Sequence, residues 1–518
     1  MGQIKGVIAA GHELTVHAAE EILRDGGNAY DAVVAAHLAA CATEPVLSSL
    51  AGGGFLLAQG PDRSRIVYDF FAQTPCRCRS YPEVNFFPIS ADFGETSQEF
   101  HIGMGSFATP GTISGLFAIH RDLCSMPMTR LAEPAVRMAR DGVVMNSFQS
   151  YIFDIVRAVY LAFPETQKRF LRPGSKTDLI GEGDLLRQSE LADTLETVAI
   201  EGEDLFYRGE IAESVERMSR ELGGHITRED FACYKVNRRD PLCFKWRDTD
   251  LAINPAPSSG GPLIVFALHL LETVPQGCSS FGSTESLMTL ARIQQLTDFA
   301  RLDTMQSTVS GDPAEKILEP DYIEGWRRQF GKTIHFNRGT THISVMDRIG
   351  NTASLTTSNG EGCGLLVPGT GVMMNNMLGE SDLHPGGFHK WPENRRIASM
   401  MAPAILNRSD GITFALGSGG SNRLRTAILQ VIINIVVHRM PLEKAVSCPR
   451  LHCEGEFLSL EVGFDPDQLA PVLSVWPDHK IWSGFNLFFG GTHSVSQGPD
   501  GFTGAGDPRR GGSSKVVN

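Results

Sequence analysis

Thr340 and Ser358 are the side chains whose type and spacing best suit nucleophilic chemistry in this sequence. They sit at the outer ends of two runs that alternate polar and apolar residues, 340–347 and 352–358, around a turn carrying Gly350 and Asn351. That pattern predicts a β-hairpin. With the turn at 347–351, position 346 pairs with 352, 344 with 354, 342 with 356, and Thr340 with Ser358. Cross-strand partners have Cβ atoms about 5 Å apart, close enough for one hydroxyl to serve the other. A one-residue slip would bring Thr357 to that place, facing the wrong way.

A threonine hydroxyl attacks a carbonyl only when something takes its proton, and one solution is the threonine's own α-amine, freed as a chain terminus. Its pKa of about 7.7–8.0 suits a general base at neutral pH. This chemistry requires the Gly339–Thr340 bond to be cut, and a glycine there leaves its carbonyl open to attack by the neighbouring hydroxyl. Taken alone, the hairpin reads equally as an ordinary threonine-rich strand pair with solvated hydroxyls. The rest of the chain has to decide.

A second constellation lies downstream. Strand-like runs at 399–406 and 412–416 lead through Gly417-Ser418-Gly419-Gly420-Ser421-Asn422 into a helix over 424–437. Backbone N–H groups at such a turn suit an oxyanion hole or a bound anion, with plain helix capping as the alternative. Upstream, helices are predicted over 13–25, 29–43, 112–123, 128–141, 189–201 and 210–222. Strands are expected at 55–59, 64–71, 232–236, 242–246, 249–253, 364–367 and 371–374, and further helices at 262–271 and 283–300. The stretches 72–108 and 306–339 read as irregular, and 377–392 as a polar binding loop. Gly52-Gly53-Gly54 has no P-loop lysine after it, so close strand packing explains it better than phosphate binding.

The formal net charge of -13 disfavours nucleic acid and anionic membrane surfaces as partners. No apolar run approaches the roughly 20 residues that span a bilayer, and no export signal is read at the start, so a cytoplasmic location is expected. The ten cysteines are scattered without ligand spacing, which predicts reduced thiols, no metal site and no cofactor.

Several motifs resemble, in order and spacing, those of the γ-glutamyltranspeptidase family of N-terminal-nucleophile hydrolases. They are Thr340-Thr341-His342, Asp347 with Gly350-Asn351, Pro368-Gly369-Thr370-Gly371, Asn375-Asn376-Met377 and Gly417 to Ser421. Gly26-Gly27-Asn28-Ala29 with Asp31-Ala32, Gly52-Gly53-Gly54-Phe55, Pro110-Gly111-Thr112, Pro257 to Gly261 and Gly504 to Arg510 extend the likeness over nearly the whole chain.

The resemblance implies a four-layer αββα sandwich of the α+β class. It implies a zymogen that cleaves itself between Gly339 and Thr340 into a heavy fragment, 1–339, and a light fragment, 340–518, intertwined in one unit. Thr340 would be nucleophile and, through its new amine, base; Ser358 matches the family's second hydroxyl, and Gly419 and Gly420 its oxyanion-hole glycines. Ser399, Glu380, Asn376 and Ser421 fall where the substrate is held. The activity implied is hydrolase or acyltransferase action on a small amide, with water or an amine as acceptor and a place in glutathione metabolism; a homo-oligomer stays open.

The sequence departs from the family where the substrate is recognised. The arginine that binds the substrate α-carboxylate should follow Asp69-Phe70, but Phe71-Ala72-Gln73 stands there, leaving Arg77 or Arg79 as replacements. Met400 occupies the position of a second serine after Ser399. An acylase acting on another small amide is therefore the alternative within this chemistry, and a non-catalytic binding homologue the alternative outside it.

Overall fold

The hairpin forms in the predicted register, with Met346 opposite Thr352, Ser344 opposite Ser354, His342 opposite Thr356 and Thr341 opposite Thr357. One step further along this register Thr340 faces Ser358. Asp347 closes the turn: its carboxylate accepts from the backbone N–H of Ile349 and Asn351, each at 3.0 Å, and from the Asn351 amide at 2.7 Å. It also accepts from the Ala29 N–H at 3.0 Å, which ties the hairpin to the start of a helix. The computed structural model describes residues 3–92, 97–272, 280–307, 312–328, 340–384 and 386–518. Gly339, and with it the expected cleavage bond, lies outside the described residues.

The hairpin lies inside a seven-stranded sheet. On one side of it come Gly6–Ala10 and then Ser513–Val517; on the other come Gly53–Gln59, Arg65–Phe70 and Asn237–Arg239. A second, six-stranded sheet runs Gly501–Ala505, Gly491–Gly498, Thr413–Gly419, Ala404–Arg408, Thr249–Ile253 and Leu242–Trp246. Alternation along the strands sorts the layers. Ile8, Ala10, Leu56, Ala58, Ile343 and Val345 pack on helices that include Glu13–Arg24, Ala29–Thr43, Thr112–Leu123 and Met128–Asp141. Val7, Ala9, Phe55, Leu57 and Met346 point the other way, into a core shared with the second sheet and with helices Gly260–Leu271 and Arg423–Val436. The result is helix, sheet, sheet, helix, as the αββα expectation required.

Ala29–Thr43 is buried along its whole length, and its seven alanines let neighbouring elements approach closely. It begins with a reciprocal capping box between Asn28 and Asp31, which explains the Gly-Gly-Asn-Ala signature upstream. The glycine triplet does pack strands: a Cβ on Gly54 would lie 2.5 Å from the carbonyl oxygen of Thr356.

Some expectations fail for identifiable reasons. Residues 87–92 and 97–102 form an antiparallel strand pair inside the stretch read as irregular. The run 232–236 is not a strand, because a capping box of Thr227 and Asp230 starts a helix, Arg228–Cys233, that consumes its beginning. Between 364 and 374 two isolated bridges, Leu366 to Met373 and Met374 to Ala51, replace the two strands expected. The connector after 306 contains Pro313–Lys316 and Pro320–Arg327, each with proline at its first turn.

Gly54→Ala is expected to lower unfolding stability by about 1–3 kcal/mol, measured by chemical denaturation; an unchanged midpoint would show that the two strands can separate freely.

Candidate active site

Thr340 and Ser358 open onto one cleft with about 330 Å³ of empty space at the end of the layer between the two sheets. Thr340 is 4% exposed and directly precedes its strand, while Ser358 ends the partner strand. The Ser358 hydroxyl accepts from the backbone N–H of Gly360 at 3.0 Å. The carbonyl of Thr340 accepts from Arg510 Nη1 at 2.8 Å. His342, two residues on, is committed elsewhere: Nδ1 lies 2.8 Å from the Thr356 hydroxyl and Nε2 2.9 Å from that of Ser344. Burial, reinforced by neighbouring His493, holds its pKa well below the usual histidine value, so it is a neutral structural ring.

The glycine-rich turn stands directly over this residue. A Cβ on Gly419 would fall 1.7 Å from the Thr340 carbonyl oxygen, and one on Gly417 would fall 2.4 Å from the His342 ring. Gly419 is still strand, whereas Gly420 has φ 123° and Ser421 φ 53°. The chain therefore reverses direction at 420–421, inside the Gly419-Gly420-Ser421 turn. Ser421 adopts the left-handed conformation without being glycine, at a cost of about 1–2 kcal/mol, and its hydroxyl donates to Asp382 at 2.6 Å.

The other cleft walls come from distant segments. Ser399 lines it and is braced from behind: its carbonyl accepts from the Ser258 hydroxyl at 2.6 Å and the Ser259 N–H at 2.8 Å. The Pro257 to Gly261 signature thus shapes the cleft wall. Glu380 lines it as expected, together with Asp382, which the sequence reading passed over although it lies in the same polar loop. Asn376 is not among the lining residues. Its carbonyl oxygen accepts from the Glu361 N–H at 2.9 Å and its amide donates to the His101 carbonyl at 3.4 Å, so it braces the loop behind Ser358.

Neither candidate replacement arginine reaches the cleft. Arg77 is exposed and faces Glu229 at 3.7 Å, and Arg79 donates to the Ser219 carbonyl at 3.4 Å. Phe71 itself forms the wall, stacked on Phe55 with ring centroids 5.6 Å apart. The cations beside Asp69 are Arg239, 2.9 Å from its carboxylate, and Arg396, at 3.3 Å, which also donates to the Phe71 carbonyl and to Tyr234. Met377, Leu383, Met400, Met401 and Leu424 complete an apolar lining. Among the described lining residues the acidic side chains are Glu380 and Asp382, with no lysine, arginine or histidine.

The family model for gamma-glutamyltranspeptidase matches residues 15–517. The chain belongs to the gamma-glutamyltranspeptidase family. Among its relatives, the glutathione hydrolase proenzyme of Escherichia coli is 28% identical, the match covering 98% of this chain and 90% of the relative. The acylase ACY 1 proenzyme of Pseudomonas sp. strain SE83 is 29% identical over 97% of this chain and 91% of that protein. The solved cephalosporin acylase from Bacillus halodurans superposes with a TM-score of 0.84 at 20% identity, covering 99% of this chain and 96% of the other, and so shares the fold. A gamma-glutamyltranspeptidase chain from Helicobacter pylori superposes with a TM-score of 0.53 at 24% identity over 61% of this chain and 89% of that one. This family member is therefore an N-terminal-nucleophile hydrolase in fold, with an enzyme's lineage.

Arg510 went unremarked in the sequence except as part of the tail signature. Its fork reaches the carbonyls of Thr340 and Leu487 together, which a lysine ammonium cannot reproduce. Arg510→Lys is expected to cut turnover by about tenfold or more with native circular dichroism; wild-type turnover would mean that Arg510 only fills space.

Proposed function

We propose that this protein is made as a precursor that cuts itself before Thr340, giving fragments 1–339 and 340–518, and then cleaves small amides through an acyl-enzyme on Thr340. The observation that carries this reading is the single cleft in which Thr340, Ser358 and the turn at 419–421 converge. The proenzyme names of both relatives, the glutathione hydrolase and the acylase, support self-processing.

In the first step the Thr340 hydroxyl attacks the Gly339 carbonyl, moving the acyl group from nitrogen to oxygen and freeing the α-amine; water then hydrolyses the ester, releasing the Gly339 carboxylate and restoring the Thr340 hydroxyl. In each later turnover that amine takes the hydroxyl proton and Thr340 Oγ attacks the substrate amide carbon. Backbone N–H groups of the 419–421 turn stabilise the tetrahedral oxyanion, each donor contributing about 3–4 kcal/mol in comparable sites. The leaving amine collects the proton, and water or an acceptor amine resolves the acyl-enzyme. Ser358 orients and polarises the Thr340 hydroxyl from the facing strand.

Hydrolysis or transfer of a γ-glutamyl group is what the family's glutathione hydrolases suggest. One observation favours acylase action on another small amide: Phe71 stands where a carboxylate-binding arginine is needed, and the described cleft walls carry acids and apolar groups. Such walls repel an acyl group with a free carboxylate and accept an apolar or amine-bearing one.

On a denaturing gel the protein is expected to run as two pieces, the smaller beginning at Thr340 by terminal sequencing; active protein that stays a single chain would overturn the precursor reading. Thr340→Ala should remain uncut, whereas Ser358→Ala should fold and turn over about 10- to 100-fold more slowly. A panel of anilides sharing one leaving group separates the substrates: the acylase reading expects higher kcat/KM for uncharged or amine-bearing apolar acyl groups than for γ-glutamyl and glutaryl, and the opposite order returns the enzyme to γ-glutamyl chemistry.

A further inference from the structure

Beneath the cleft, on the helical side of the sheet, lies a carboxyl group that the proposed chemistry does not use. Glu44 follows the helix Ala29–Thr43 and is completely buried. Its Oε2 accepts from the Thr341 hydroxyl at 2.9 Å and its Oε1 from the Thr15 hydroxyl at 3.0 Å. The fit is tight and dry: a Cβ on Gly11 would lie 2.5 Å from Glu44 Oε2 and 2.9 Å from the Thr341 hydroxyl. A charged carboxyl so placed needs opposite charge or strong donors to stay ionised.

Arg510 is the cation that acts on it, and Arg510 also holds the Thr340 carbonyl at 2.8 Å. The peptide joining Thr340 to Thr341 is therefore gripped twice in connection with one acid, through the Thr341 hydroxyl and through the guanidinium. The other titratable group that feels Glu44 is Cys41, whose thiol burial pushes up to about 12, so it stays neutral. Arg510 in turn answers to Glu361 and Asp507. Burial raises the Glu44 carboxyl to about 7, against the opposing pull of Thr341, Thr15 and Arg510.

We propose that Glu44 is a positioning residue for Thr340: its ionised carboxylate fixes the Thr340–Thr341 peptide for nucleophilic attack, and its protonation loosens that peptide. Ionised, it accepts both threonine hydroxyls and balances Arg510. Protonated, it must donate a hydrogen of its own, so one threonine has to turn from donor to acceptor, and Arg510 loses a counter-charge beside the Thr340 carbonyl. Because the acid gains charge as pH rises, the anchored state belongs to the alkaline side of about pH 7 and is lost below it.

The inference rests on the self-cleaving reading and is tested within it. Before cleavage the Thr340 nitrogen is an amide and does not titrate, so the pH dependence of self-cleavage is free of the α-amine. Full-length chain made by cell-free translation is shifted to buffers from about pH 5.5 to 8.5, and conversion is followed on a denaturing gel. Wild type is expected to cleave faster as pH rises through about 7; Glu44→Gln is expected to lose that limb and to cleave about 10- to 100-fold more slowly at pH 8. Thr341→Val, which keeps the volume and cuts the link, should do the same, and provides the test should Glu44→Gln fail to fold. In the mature enzyme both variants should lower kcat with KM within about twofold. A Glu44→Gln or Thr341→Val precursor that keeps the wild-type pH limb overturns the positioning role while leaving self-cleavage intact. A wild-type chain that never cuts overturns both.

Discussion

At Thr340 the two sheets approach until backbone touches backbone, and the site depends on that approach. Gly417 lies over the His342 ring and Gly419 over the Thr340 carbonyl, where no side chain fits. Sheets normally stack about 10 Å apart, with interdigitated side chains between them; here glycines let the second sheet deliver its strand end, and the turn after it, onto the residue that leads into the hairpin of the first. The same proximity buries the groups that meet there, which strengthens the polar interactions they make.

Such an approach needs anchors, and they are buried charges. Arg450 meets Asp507 at 2.6 Å and Arg509 meets Glu461 at 2.5 Å, with Arg509 also 3.1 Å from Asp507. Burial alone would raise the Asp507 carboxyl, but Arg450, Arg509 and backbone donors overcome it and bring it down to about 2. Asp507 also accepts from the Thr492 N–H at 2.8 Å, fixing the strand beside the glycine turn. Arg510 follows directly and inherits its direction from this cluster. The tail of the chain thus reaches back into the centre as a rigid hand.

What the sequence disclosed and what it withheld follow the range of the interactions. Residue alternation and a turn locate the hairpin, so the pairing of Thr340 with Ser358 is readable from local pattern, as are the long helices. The wall of the cleft is not local. Asp382 is one acid in a polar loop until Ser421 is folded onto it; Arg510 is one of two arginines in a tail until it meets Thr340; Glu44 is a helix-end acid until a strand almost 300 residues away donates to it. The glycine run was readable as a turn, but only the backbone shows that Gly419 remains strand and that Ser421 takes the left-handed place. Arg77 and Arg79 were near in sequence to the missing arginine, yet the chain turns outward between Phe71 and them.

The order of strands in the first sheet carries a consequence for the molecule as a whole. Read across it, segments from before and after residue 340 alternate: 513–517, then 6–10, then 341–347 and 352–358, then 53–59. A chain severed at that point is braided rather than docked. Neither piece owns either of the two large sheets whole, so parting them would strip strands from both. Two pieces of such a chain would share their strands in both large sheets, as threads share a weave.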